Sequence, residues 1–387
     1  MRVKLGEICK FQSGGTPAKG NIEYFGGSIP WITTTALNGG RIDEHNAVDW
    51  ITEKAIKESA AKIVPAFSIM VGTRVGVGKV AVNVVGMSTN QDIISLIDID
   101  EDKWSKDFLC KFIQAKSGYL NSQARGATIK GIKIDVLAAL ELPTLLMREQ
   151  QHISHIIDSV KNMISFRERE LIKLDNLIKA RFVEMFGLPG TDEKGWGLRS
   201  LGECCELNPK KGSDRRLTSG IEVSFIPMTA VSENGAIKTS EKKTYDEVKV
   251  GFTYFAENDV LFAKITPCME NGKGAVAVDL CNGIGFGSTE FHVLRPLAGR
   301  SNPYWLYSLT VFDTFRKDAT ANMTGSAGQR RVPSIFLDKY KVTLPPLELQ
   351  NQFADFVHQV DKSKVAVQKA LDETQLLFNS LMQKYFG

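Results

Sequence analysis

The chain has 387 residues, with 48 lysines and arginines against 44 aspartates and glutamates, a formal charge of +4. At roughly 100–200 residues per domain that length predicts two or three domains, and 43% hydrophobic with 24% charged residues excludes a largely disordered chain. No run approaches the roughly 18 consecutive apolar residues of a membrane helix, and residues 1–7 carry no apolar signal-peptide core, so a soluble cytoplasmic protein is expected.

In chain order, β-branched runs punctuated by glycine at residues 68–72, 79–86 and 93–97 predict strands of a sheet-rich domain. A helix is expected near 107–117. After Pro143 a long helix is expected over 146–187, with Gly187 in the place of a C-terminal glycine. Its apolar residues, Ile153, Ile157, Val160, Ile164, Leu171, Leu174, Ile178 and Met185, step alternately by four and three, and Arg167 and Arg181 fill the remaining seam positions. Strand-like runs return at 259–263 and 274–278, and a helix is expected near 303–315. A second long helix follows Pro345 and Pro346, over 346–387. Its seam reads Phe353, Val357, Val360, Lys364, Val367, Leu371, Thr374, Phe378, Leu381 and Tyr385. A 3.5-residue repeat sustained this far predicts a coiled coil.

The chain is written twice. Leu5-Gly6-Glu7 returns as Leu201-Gly202-Glu203, Ile29-Pro30 as Ile226-Pro227, Ser88-Thr89 as Ser288-Thr289, Leu142-Pro143 as Leu344-Pro345 and Phe186-Gly187 as Phe386-Gly387, at offsets of 196 to 202. The shared order points to one unit of about 190–200 residues used twice, far longer than a solenoid repeat. An α+β architecture is expected: sheet-rich domains over 1–145 and 190–345, separated by two long antiparallel coiled-coil helices over 146–187 and 346–387, with pseudo-twofold internal symmetry. Polar seam residues differ between the copies: Arg167 aligns with Val367, Lys364 with Ile164, Thr374 with Leu174 and Arg181 with Leu381. They are either tolerated at a wet seam or fix its register.

Signals for chemistry are weak. The six cysteines, Cys9, Cys110, Cys204, Cys205, Cys268 and Cys281, form no C-x-x-C pair and are expected to be reduced. Residues 76–81 fit G-x-G-x-x-A, yet a strand-like run follows where a helix should begin, so a hairpin turn is expected instead. The Pro345-Pro346 pair lacks the flanking polar and aromatic residues of an adenine methyltransferase motif. The five histidines form no H-E-x-x-H, and His152 and His155 read as solvated helix residues. No catalytic residue and no metal ligand is expected.

Phe11-Gln12-Ser13-Gly14-Gly15-Thr16-Pro17, followed by Tyr24, Gly26-Gly27 and Ile29-Pro30-Trp31, resembles the opening of a target-recognition domain in the specificity subunits of type I restriction–modification systems. Leu344-Pro345-Pro346-Leu347-Glu348 with Gln352, and Leu142-Pro143-Thr144-Leu145 with Arg148-Glu149-Gln150, resemble the entries to that family's spacer helices. Residues 262–274 and 285–291 resemble further recognition-domain segments. The resemblance covers the whole chain. It implies a non-catalytic, DNA-binding subunit in which each head reads half of a bipartite, asymmetric double-stranded target. The helices would set the spacer and dock two methyltransferase subunits, which methylate adenine N6, and through them two motor-nuclease subunits. It implies no cofactor on this chain, with S-adenosylmethionine, ATP and Mg serving the partner subunits. A methylation-only or fused nuclease–methyltransferase system is the alternative within the family; a coiled-coil scaffold without DNA binding, or an enzyme in its own right, lies outside it.

Bases are read by Arg, Lys, Asn and Gln, and phosphates are held by basic and hydroxyl groups. The candidate DNA-binding residues lie in glycine-rich loops, where backbone can approach DNA closely. They are Ser13, Gly14, Gly15, Thr16, Arg74, Lys79, Asn90, Gln91, Arg125 and Lys130 in the first copy, with Trp31 as a candidate stacking surface. In the second they are Lys264, Asn271, Lys273, Ser288, Thr289, Ser326, Gln329, Arg330 and Arg331. The strongest local signal is a cationic loop in both copies, at residues 125–131 and 326–331. Residues 1–145 hold 17 basic and 15 acidic groups, and residues 190–346 hold 20 and 18, so each head carries +2. That excess is too small for a groove with roughly 6–10 phosphate contacts, and the partners are expected to supply the rest.

Overall fold

The computed structural model describes residues 2–126, 130–238, 241–326 and 328–387. By contact the chain divides into two compact units, one of Met1–Phe166 with Leu371–Gly387 and the other of Arg167–Ala370. Each therefore holds one head and a part of each long helix.

Both heads are built on one plan. Arg2–Lys4 pairs antiparallel with Glu141–Pro143, and Leu198–Ser200 with Lys341–Thr343, so each head is closed by its own first and last strands. The repeated Leu-Gly-Glu forms a 3-10 turn directly after each first strand and buries Leu5 and Leu201 completely. Its glycine lies close against a neighbour. A Cβ on Gly6 would lie 3.0 Å from Ala138 Cβ, and one on Gly202 would lie 2.1 Å from Asp338 Oδ1.

Two sheets follow in each head. In the first, Lys10–Ser13, Ile93–Ile97, Ile69–Gly72, Val80–Asn83 and Arg41–Ile42 form a five-stranded sheet in that order, and a four-stranded sheet runs Asp49–Ile51, Phe25–Ile32, Met87–Thr89, Ile63–Val64. In the second, Cys205–Leu207, Phe291–Pro296, Val260–Ala263 and Gly274–Val276 repeat the first four positions of the first sheet. The expected strands are present, and the turn after Gly76 is a hairpin between Ile69–Gly72 and Val80–Asn83. Each expected mid-head helix is instead a pair: Lys106–Ala115 with Ser117–Gln123, and Pro303–Thr310 with Asp313–Ala321. Phe108, Leu109, Phe112 and Ile113 bury one face of the first pair, and Trp305, Leu306 and Leu309 that of the second.

The long helices are Met147–Phe186 and Leu347–Phe386. Gly187 follows the first at φ 81°, the left-handed conformation glycine adopts without strain. Each helix is rooted by a fully buried glutamine in its first turn. Gln150 accepts from Ser105 N at 2.9 Å and donates to the carbonyls of Lys103 at 2.8 Å and Leu145 at 3.0 Å. Gln350 accepts from Asn302 N at 2.8 Å and donates to Arg300 O at 3.1 Å and Pro345 O at 2.8 Å. The second entry glutamine is therefore Gln350; Gln352 is exposed.

All the seam residues are buried or half-buried. In the second unit Phe353 meets Phe182 and Phe186 edge-on at 5.5 and 5.4 Å, Lys364 Nζ lies 2.8 Å from Asp175, and Arg167 donates to Ala370 O. Numbers rise on one helix as they fall on the other, so the pairing is antiparallel. In the first unit Phe378, Met382 and Tyr385 pack on the cluster that holds Ile153 and Ile157, and Phe386 lies 5.3 Å from Phe108. The polar seam residues have partners. Burial alone would lower the Lys364 pKa, but Asp175 and Asp361 override it and raise it. The anchors Phe182, Phe186 and Phe386 stand one residue off the heptad seam, because they pack into a head as well as across the rod.

Phe353→Ala empties a site enclosed by two aromatic rings and is expected to cost about 3–5 kcal/mol of stability. Urea denaturation of the full chain measures it.

Candidate nucleic-acid interface

Lys264 follows strand Val260–Ala263, and three segments converge there. Lys264 N donates to Glu290 O at 2.9 Å, and Val332 N donates to Lys264 O at 2.9 Å. Thr324 and Arg331 exchange backbone hydrogen bonds, Thr324 N to Arg331 O at 3.0 Å and Arg331 N to Thr324 O at 2.8 Å, and Thr266 N donates to Arg330 O at 3.0 Å. Lys264, Ser288, Thr289, Gln329, Arg330 and Arg331 are thereby brought to one corner. Ser288 Oγ accepts from Glu290 N at 3.2 Å. Ser326 and Thr289 are exposed, and residue 327 of the expected loop lies outside the described residues.

Carboxylates hold this corner. Arg331 donates from Nε and Nη2 to Glu290 at 2.9 and 2.8 Å, and from Nη1 to Gln329 O at 3.1 Å. The guanidinium keeps the Glu290 carboxyl below its usual range. Arg330 Nη2 lies 3.9 Å from Glu270. Asn271 donates to Glu233 at 3.0 Å, and Lys273 Nζ lies 3.5 Å from Met228 O, which places both on the adjoining turn rather than in the corner itself. Burial lowers the Lys264 pKa.

The first head has the same frame. Thr73 N donates to Asp92 O and Ile132 N to Thr73 O, both at 2.8 Å, while Arg125 and Gly131 exchange backbone hydrogen bonds at 2.9 and 3.0 Å. Asp92 occupies the place of Glu290: Arg74 Nη1 lies 3.8 Å away, and Asn90 Nδ2 donates to it at 3.1 Å. Thr16 donates to Gln91 beside it. Ser13, Arg74, Lys79, Gln91, Arg125 and Lys130 are exposed; residues 127–129 lie outside the described residues.

Four candidates have a different role. Gly14 N donates to Ile93 O at 3.1 Å and Gly15 N to Thr89 O at 2.8 Å. A Cβ on Gly14 would stand 2.1 Å from Asn90 O, and one on Gly15 would stand 2.1 Å from Ala60 O. These glycines admit the protein's own backbone. Trp31 is 8% exposed, packs with Ile51, Ala55 and Ala61, and donates its indole N–H to Gly15 O at 3.1 Å. It holds the turn and offers no stacking face. Asn90 is buried against Asp92. Sequence reasoning missed the carboxylates, because it sought cations. The available signal was the acidic residue that follows Asn90-Gln91 and Ser288-Thr289 alike; the backbone hydrogen bonds put Ser288 where Asn90 stands, two residues beyond the Ser88 with which the repeat aligned it.

Among the described residues no group of three or more His, Cys, Asp or Glu is placed to hold a metal ion, and no helix is long and apolar enough to cross a membrane.

A family model described as type I restriction modification DNA specificity domain matches residues 1–176 and again 193–374. The chain is 37% identical over 195 residues to the type I restriction enzyme EcoAI specificity subunit of Escherichia coli, covering 49% of this chain and 32% of that one. It is 22% identical over 405 residues to the MjaIX specificity subunit of Methanocaldococcus jannaschii, covering 98% and 91%. The match to the E. coli subunit thus spans about a third of that protein, whereas the archaeal match is nearly end to end. Among solved structures, the S subunit of the M. genitalium type I restriction-modification system aligns over 100% of this chain and 96% of that one, with TM-score 0.54 and 14% identity. A chain from a study of type I R-M complex assembly aligns over 100% and 97%, with TM-score 0.61 and 18% identity. These likenesses show the fold.

His292 tests the second corner. Its Nε2 donates to Val332 O at 2.8 Å and its Nδ1 accepts from Asn208 at 3.1 Å, a neutral tautomer assigned from these partners. Burial lowers its pKa below the ordinary 6.5. The unfolded chain then binds a proton that the folded one does not, so stability falls as pH drops from 6.5 toward the lowered value. His292→Gln is expected to flatten that part of the pH–stability profile in thermal melts.

Proposed function

Because the chain belongs to the type I restriction modification DNA specificity family, we propose that each head reads one half of a bipartite, asymmetric DNA target. On this reading the two long helices set the unspecified spacer and dock two adenine-N6 methyltransferase subunits, with two motor-nuclease subunits joining through them. The chain selects the site, and the chemistry, with S-adenosylmethionine, ATP and Mg, belongs to the partners. One observation carries the reading: both heads build the same backbone corner from the same hydrogen bonds but fill it with different side chains, Arg74, Gln91 and Arg125 in one and Lys264, Gln329, Arg330 and Arg331 in the other. A shared frame with divergent side chains is what two half-sites of different sequence require.

The charge fits the same division. A net +2 on each head supports selectivity, with non-specific phosphate attraction supplied elsewhere in the assembly.

Gln329→Ala is expected to weaken or relax recognition of one half-site only, read by mapping methylated adenines genome-wide; equal loss at both half-sites refutes the division of labour. Inserting one heptad into each long helix adds about 10 Å at 1.5 Å per residue. That equals about three base pairs at 3.4 Å each, so the preferred spacer is expected to lengthen by about three base pairs with both half-sites unchanged. An altered half-site with the old spacer sinks the ruler.

A further inference from the structure

The two arginines at the second corner are adjacent in sequence and unlike in state. Arg331 makes three hydrogen bonds, two to the Glu290 carboxylate and one to Gln329 O. Its backbone N–H and C=O both bond to Thr324 across the loop. To read a guanine with two parallel hydrogen bonds it would have to surrender charge-assisted bonds, the stronger kind. Among the described residues the Arg330 side chain has one charged neighbour, Glu270, whose Oε1 lies 3.9 Å from Nη2. The Arg330 carbonyl is fixed by Thr266 N, so its Cα is placed while its guanidinium stays available.

Glu270 is built for more than a surface contact. Its Oε1 accepts from Thr266 Oγ1 at 3.1 Å, and its Oε2 is buried without a hydrogen-bond partner. A buried carboxylate oxygen left unpaired is costly, and the Arg330 guanidinium approaches the other oxygen, Oε1, on the solvent side of the same carboxylate. The Thr266 residue that hydrogen-bonds Glu270 through its side chain also hydrogen-bonds Arg330 through its backbone, so the carboxylate and the arginine are indexed to one residue.

We propose that Arg330 is a base-reading residue of the second head, that Glu270 orients it, and that Arg331 with Glu290 holds the loop and reads nothing. Arg330 would take the paired acceptors of a guanine edge in the major groove, a fork geometry that lysine lacks. This rests on the reading of the head as a DNA-binding module.

The test is selection of bound sequences from a randomised duplex library by the full chain in complex with its methyltransferase partner. Arg330→Lys preserves the charge that attracts phosphate and removes only the fork geometry. Its discrimination at one base pair of one half-site should fall roughly 5- to 150-fold. Glu270→Gln should lower discrimination at that same base pair. Arg331→Lys should open the loop to protease and reduce binding, while the sequences still bound keep the wild-type base preference. An Arg330→Lys protein with unchanged preference overturns the assignment, as does an Arg331→Lys protein that changes preference with the loop still protected. A wild-type complex that enriches no sequence removes the DNA-binding reading itself and this assignment with it.

Discussion

A buried glutamine fixes where each long helix begins. Gln150 and Gln350 each use one accepting and two donating bonds to tie a helix entry to backbone in the adjoining head. With these bonds made, a fully buried amide is satisfied and rigid; with one missing, the same amide is a liability. The phase of each seam relative to its head follows from that attachment. So does the placement of Phe353 between Phe182 and Phe186, and of Phe386 beside Phe108.

The architecture was legible because it depends on periodicity and repetition, which a sequence displays openly. The heptad seams, the paired helices and the doubled heads all follow from spacing. Features that depend on which neighbour a residue finds were harder to see. Gly14 and Gly15 look like glycines left open for a ligand, and only the closeness of Asn90 and Ala60 shows that the protein's own backbone fills that space. Trp31 looks like a stacking platform until its indole is seen bonded to Gly15. The off-seam Phe182, Phe186 and Phe386 serve two packing partners at once, which no single period describes.

The candidate interface shows the same limit in its electrostatics. A count of cations gives each head a slight positive excess. It does not show that Arg331 is already engaged by Glu290, or that Asp92 gathers Arg74 and Asn90 in the first head. Carboxylates among the arginines reduce indiscriminate attraction to phosphate and fix guanidinium directions, and both effects favour selectivity over raw affinity.

The compact units do not follow the repeats. Each takes part of its rod from the other copy, so the first unit's core includes Phe386, about 280 residues along the chain from its partner Phe108. During synthesis the first head therefore emerges, and can pair its own clasp strands, long before the helix segment that covers it exists. Until then Ile153 and Ile157 can pack only on the first head, and the seam positions farther along the first long helix wait for the second. Closing the seam therefore requires chain from both copies.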